Sequence, residues 1–95
     1  MADGTITVGR IAASVGGTVR GDGDVAVSSL THDSTRVQPG SMFCCVRGER
    51  TDGHRFADAA AEAGAAALLV EEPLDVHLPQ VVVADVRAAM PLAAV

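Results

Sequence analysis

Apolar residues recur along this chain in two distinct periods. Val8, Ile11, Ala12 and Val15 follow the three-to-four spacing that lines one face of a helix, with Thr7 placed to cap it and Gly16 and Gly17 placed to end it. Thr18–Arg20 and residues 25–30 are β-rich and flank Gly21-Asp22-Gly23-Asp24, which predicts two strands joined by a tight turn. Val37-Gln38-Pro39-Gly40 sets Pro and Gly as a type II turn requires, reversing the chain before residues 42–46. Those residues, MFCCV, form a continuous apolar run, as do AALLV (66–70) and QVVVA (80–84). Short runs of this kind, bounded by turn signals, predict strands covered on both faces. Between the first two, residues 54–63 place Phe56, Ala59, Ala60 and Ala63 on one helical stripe, and Gly64 can end it. Asp85 can cap a last helix from Val86, which Pro91 should kink or shorten because it lacks a backbone donor.

Strand, helix, strand, loop, strand, helix is the order of an α/β domain: a mostly parallel sheet flanked by helices, with a short N-terminal strand pair and a right-handed crossover from MFCCV to ALLV. A chain of 95 residues supports one such core. The composition adds a constraint, since 48% of residues are hydrophobic but only two are Phe and none is Trp or Tyr. Ala, Val, Leu and Ile must therefore fill the layers. The chain stops at Met90-Pro91-Leu92-Ala93-Ala94-Val95, inside a helical pattern, so the expectation is one domain of something larger.

Charge narrows the partners. Seven basic against twelve acidic residues give a net charge of -5, which argues against nucleic acid as a partner. All seven basic residues are Arg, and four of them (Arg36, Arg47, Arg50, Arg55) gather around a single segment, HDSTRVQPGSMFCCVRGERTDGH. The N-terminus carries no signal-like apolar run and no stretch reaches the roughly 18 apolar residues of a membrane span, so a cytoplasmic chain without membrane insertion is expected. Cys44 and Cys45 are adjacent, and in a strand they point to opposite faces, so they read as small apolar strand residues and not as a disulfide.

In α/β sheets, ligands bind beyond the carboxyl ends of the strands, where loops enter helices. The loop Gly48-Glu49-Arg50-Thr51-Asp52-Gly53 is at such a place: its glycines permit close backbone approach, Thr51 offers a hydroxyl and Arg50 a planar donor fork suited to phosphate or a nucleobase edge. Ser34 would face the same end if the strand before it runs parallel to MFCCV. Asp33 is placed to brace the turn at Thr35 with its carboxylate.

These motifs together resemble the N-terminal domain of the Mur ligases, most closely the MurE type, which add the third residue of the peptidoglycan stem peptide. The residues that carry the resemblance are DSTRVQPGSMF, CCVRGERTDGHRF and AGAAALLVE, in the family's order. Thr35 departs from the usual Arg, and Ser41-Met42 from the usual Asp-Leu. The resemblance implies uridine-diphosphate contacts at His32, Ser34, Glu49, Arg50 and Thr51, supported by Asp33, Gly48, Asp52 and Gly53. The implied ligand is UDP-N-acetylmuramoyl-L-alanyl-D-glutamate. ATP and Mg2+ would serve the full-length parent through central and C-terminal domains, with no cofactor in this segment: the chain has no Gly-x-x-x-x-Gly-Lys-[Ser/Thr] and no Lys at all. Positioning of the distant nucleotide, not catalysis, is the expected part.

Three rival readings stay open at this stage. Ser34, His54 and Asp33 or Asp52 could compose a hydrolytic relay, but no Gly-x-Ser-x-Gly elbow is present. His32, His54, His77 and the cysteines lack recognised metal-ligand spacing. A stand-alone nucleotide-sugar-binding or interaction module without ligase activity is the alternative from a different class.

Overall fold

Thr7 caps the first helix as its position demands, its hydroxyl oxygen accepting from the Arg10 amide at 3.2 Å. Helix α1 (Val8–Val15) buries Val8, Ile11 and Ala12 and ends at Gly16, whose φ of 68° lies in the left-handed region that glycine enters without a Cβ penalty. The computed structural model describes residues 6–46 and 53–93. Around α1 lie strands β1 (Ile6–Thr7), β2 (Thr18–Arg20), β3 (Ala26–Val27) and β4 (Ser29–Thr31), then β5 (Ser41–Cys44), helix α2 (Ala57–Glu62), β6 (Ala67–Val70), β7 (Gln80–Val82) and helix α3 (Val86–Ala93).

The main sheet has the order β2-β7-β6-β5-β4, with β4 to β7 mutually parallel and β2 antiparallel along the β7 edge. The mixed α/β architecture expected from the pattern is therefore present, including a short antiparallel pair. That pair is built differently from the expected hairpin. Residues 25–30 are split at Ser28, so that β3 pairs with β1 and β4 joins the main sheet, while β2 pairs with β7 instead of its sequence neighbour. The competing partner wins because β7 places Val81 opposite Val19 and extends a buried sheet, whereas a two-stranded hairpin alone buries little.

The central strands β5 and β6 are buried on both sides because helices cover both sides. Met42, Cys44, Ala67, Leu69 and Val81 pack with Val8 and Ile11 of α1 and Val86 and Ala89 of α3. Phe43, Cys45, Leu68 and Val70 pack with Ala57 and Ala60 of α2. Cys44 and Cys45 thus serve opposite faces, as the two-residue period requires, and burial pushes the Cys44 thiol up to about 12. The α2 stripe is shifted from the expected one: Ala57 and Ala60 face the sheet, while Phe56 is 39% exposed and Ala59 and Ala63 are exposed. A 3-10 turn over Gly53–Phe56 precedes α2 and rotates the helical phase away from one continuous 3.6-residue pattern. Helix α3 runs through Pro91 to Ala93, so the proline is accommodated inside it.

Turn chemistry follows the sequence. The Ser41 amide donates to the Gln38 carbonyl at 2.9 Å and Gly40 has φ of 92°, the third-residue geometry of a type II turn.

Candidate functional site

Because β4 and β5 are parallel, with Ser29 beside Ser41 and Thr31 beside Phe43, the segments leaving them open at one end of the sheet. The segment after β4 is His32-Asp33-Ser34. Its form is dictated locally. The Thr31 hydroxyl oxygen accepts from the Asp33 amide at 3.1 Å, and the Asp33 carboxylate accepts from the Thr35 amide at 2.9 Å and the Thr35 hydroxyl at 2.6 Å. Arg36 adds an ion pair, its Nε 3.6 Å from Asp33 Oδ2. The Thr35 hydroxyl, then its amide, then Arg36 and His32, hold the Asp33 carboxyl below its ordinary value of 3.8. Asp33 is thus the brace expected of it, and Thr35, a position where the resemblance fails, closes the turn from within. The Ser34 hydroxyl makes no hydrogen bond among the described residues and remains available at the sheet end.

The segment after β5 leads into the glycine loop. Gly48, Glu49, Arg50, Thr51 and Asp52 lie outside the described residues, and Gly53 opens the 3-10 turn before α2. The far side of that loop is anchored at the same end of the sheet: the Glu71 amide, just after β6, donates to His54 Nε2 at 3.1 Å. An imidazole nitrogen engaged by a backbone N–H is not the free base that the hydrolytic reading needs. Among the described residues no group of three or more His, Cys, Asp or Glu could hold a metal ion.

Beside the β4 end, on the face covered by α3, lies an open cleft of about 370 Å³ lined by His32, Val46, Arg87, Met90 and Pro91. His32 comes from the segment after β4, Val46 from just beyond β5, and the other three from α3. The first turn of α3 is held by two carboxylates, Glu71 Oε2 accepting from the Val86 amide at 3.0 Å and Asp85 Oδ1 from the Ala88 amide at 3.3 Å. The sequence reading had singled out His32 but neither Arg87 nor Glu71. Arg87 lies two residues past a capping Asp and off the apolar stripe, which marks it only as outward-facing. That it shares a cleft with His32 depends on how α3 packs, which no local pattern encodes. The carboxylate of Glu71 acts across 15 positions of sequence, equally beyond reach of spacing.

No helix among the described residues is long and apolar enough to cross a membrane.

Comparison with known proteins gives a consistent result. The family description "Mur ligase family, catalytic domain" matches residues 26–94. The chain is 40% identical over 85 residues to the UDP-N-acetylmuramoyl-tripeptide–D-alanyl-D-alanine ligase of Escherichia coli K12, covering 90% of this chain and 19% of that protein. It is 49% identical over 72 residues to the UDP-N-acetylmuramoyl-L-alanyl-D-glutamate–2,6-diaminopimelate ligase of Geobacillus thermodenitrificans, covering 76% of this chain and 15% of the relative. Among solved structures, a crystal structure of MurF from Acinetobacter baumannii superposes with a TM-score of 0.86 at 26% identity, over 94% of this chain and 20% of that one. The chain therefore spans about a fifth or less of the length of each. By its motifs, its parallel sheet and these matches, the chain belongs to the Mur ligase family.

Proposed function

We propose that this chain is the UDP-binding, N-terminal domain of a ligase that builds the peptidoglycan stem peptide, and that it holds the uridine-diphosphate end of UDP-N-acetylmuramoyl-L-alanyl-D-glutamate. The observation that carries this reading is the parallel register of β4 and β5, by which the Asp33-Ser34 turn and the residues just after β5, Cys45 and Val46, leave the sheet at the same end. Ser34, His32, Arg50, Thr51 and the backbone at Glu49 are the proposed contacts. Asp33, Gly48, Asp52 and Gly53 shape the two loops.

The role of such a site is positional. Gripping the nucleotide, remote from the reacting carboxylate, restricts where that carboxylate lies, so binding energy far from the chemistry lowers the entropic part of the barrier. ATP and Mg2+ would be held by parts of the parent outside these residues; the chain has neither a phosphate-binding Gly-x-x-x-x-Gly-Lys-[Ser/Thr] motif nor a lysine, and no step through them is assigned to its side chains. A cytoplasmic setting belongs to the same proposal, because the nucleotide-linked precursor and ATP are cytoplasmic metabolites.

A second reading concerns the peptide, not the nucleotide. The 40% match to a tripeptide ligase spans more of this chain than the 49% match to a dipeptide ligase. The moiety proposed to bind here, UDP, is common to both substrates, so the reading of this domain survives either choice. The site is tested by calorimetry of wild type, Ser34→Ala and Arg50→Ala with the UDP-linked dipeptide. Weakened binding in both variants is expected, and unchanged binding in both rejects the contacts. ATP-dependent phosphate release by the parent, given the dipeptide or the tripeptide precursor, decides between the two peptides.

A further inference from the structure

Three segments distant in sequence meet at Glu71, the residue that follows β6. Its amide donates to His54 Nε2 at 3.1 Å across 17 positions, and its Oε2 accepts from the Val86 amide at 3.0 Å across 15. His54 belongs to the 3-10 turn before α2, and Val86 opens α3. A backbone N–H can only donate, so Nε2 carries the lone pair and the imidazole is neutral with its proton on Nδ1. The helix already has a local cap, since Asp85 Oδ1 accepts from the Ala88 amide at 3.3 Å. A second cap, brought from the end of β6, does what a local one cannot: it fixes where α3 begins relative to the sheet. The anchor is firm, because all four residues of β6 are fully buried and the Val70 carbonyl accepts from the Val83 amide at 2.9 Å.

We propose that His54 and Glu71 are positioning residues: they form a two-bond relay that sets the 3-10 turn, the end of β6 and the first turn of α3 in one arrangement, and ligand affinity at this end depends on that arrangement although neither side chain touches the ligand. The proposal rests on the UDP reading for its ligand. Arg50 and Thr51, two of the contacts proposed above, precede His54 by four and three residues, so anchoring the imidazole restricts where they can be placed. Through Val86 the same relay sets Arg87 and Met90 of α3, which line the cleft that His32 enters. An arrangement populated only in part lowers apparent affinity by that fraction, with no contact to the ligand lost.

The test combines amide hydrogen exchange without ligand and calorimetry with UDP, on wild type, His54→Ala, His54→Gln, Glu71→Ala, Glu71→Gln, the double alanine variant and, as a control, His77→Ala in the exposed loop before β7. His54→Ala should speed exchange at the Glu71 amide and also at the Val86 amide, which bonds to Glu71 and not to His54. Each single alanine variant should weaken UDP binding about fivefold, the scale of one lost hydrogen bond, and the double variant hardly more, because both break one relay. Glutamine keeps an acceptor oxygen at either position, so His54→Gln and Glu71→Gln should recover most of the affinity, and His77→Ala should lose none. In wild type, a long-range proton–nitrogen spectrum should show the Nδ1-protonated tautomer of His54, a readout independent of any substitution. The opposite tautomer, or unchanged Val86 exchange in His54→Ala, overturns the relay. UDP affinity equal to wild type in the single alanine variants, or losses that multiply in the double variant, overturns the positioning role; loss in Ser34→Ala in the same series would show the UDP reading intact. Absence of UDP binding by wild type at millimolar concentration overturns the UDP reading and the positioning role with it, while hydrogen exchange still decides whether the relay exists.

Discussion

The two ends of the parallel sheet are built from similar residue types and put them to opposite uses. At the amino end, Ser41 and Gln80 are buried and turned inward. Ser41 Oγ lies 3.0 Å from Ser29 Oγ and accepts from the Gln38 amide at 3.1 Å, and the Gln80 amide group exchanges two 2.8 Å hydrogen bonds with the Leu74 backbone. At the carboxyl end, the side chains of His32, Ser34 and Arg87 make no hydrogen bond among the described residues, while Asp33, Glu71 and Asp85 fix the backbone around them. A polar group whose bonds are spent on its own chain stabilises the fold; one held in place with its bonds unspent is available to a ligand. The contrast agrees with the site proposed at the carboxyl end.

The comparison breaks most visibly if the amino end proves to matter for binding. Gln80→Ala should lower the unfolding free energy by about 2–3 kcal/mol, because two backbone groups of Leu74 lose their partner, yet leave nucleotide affinity unchanged in the folded protein. Urea denaturation and calorimetry read the two quantities separately. Ser41→Ala should follow the same pattern at about 1 kcal/mol. At the opposite end, Ser34→Ala should leave the denaturation midpoint where it is and weaken UDP binding several-fold, roughly the worth of one neutral hydrogen bond. A large stability loss there would erase the distinction between the ends.

Two smaller effects sharpen it. The Asp33 carboxyl is held below 3.8, so its contribution to the turn is present above the carboxyl's unfolded value and is lost as pH falls through the lower folded one. The Thr35 amide resonance should therefore titrate with a midpoint below 3.8, and Asp33→Asn should abolish that transition. Cys44, buried between layers with its thiol raised to about 12, should resist alkylation at neutral pH and react only when urea opens the core. Rapid labelling of native protein would mean that the sheet is less well covered than its packing indicates.

The cap at Thr7, the turn at Pro39-Gly40 and the apolar strands were readable in the sequence because each is decided by residues within a few positions of one another. The Asp33 brace was readable for the same reason. Reading failed where partners are distant. The hairpin expected at Gly21 to Asp24 gave way to pairing of Thr18–Arg20 with Gln80–Val82, and the α2 stripe slipped because a 3-10 turn reset its phase. At the carboxyl end of the sheet, the residues after β4 were visible through motif resemblance, whereas Arg87, which lines a cleft with His32, was not singled out among the seven arginines.

By itself, then, the order of residues determined the first helix and its cap, the turn at Pro39-Gly40, the buried strands and the α/β class, since these depend on local backbone preference and on the period of apolar positions; the family came from motif resemblance. Only the tertiary structure decided which strand became the antiparallel edge and which side chains face each other across the cleft. Those outcomes are settled by competition among distant surfaces for burial, and a linear pattern records the competitors but not the winner.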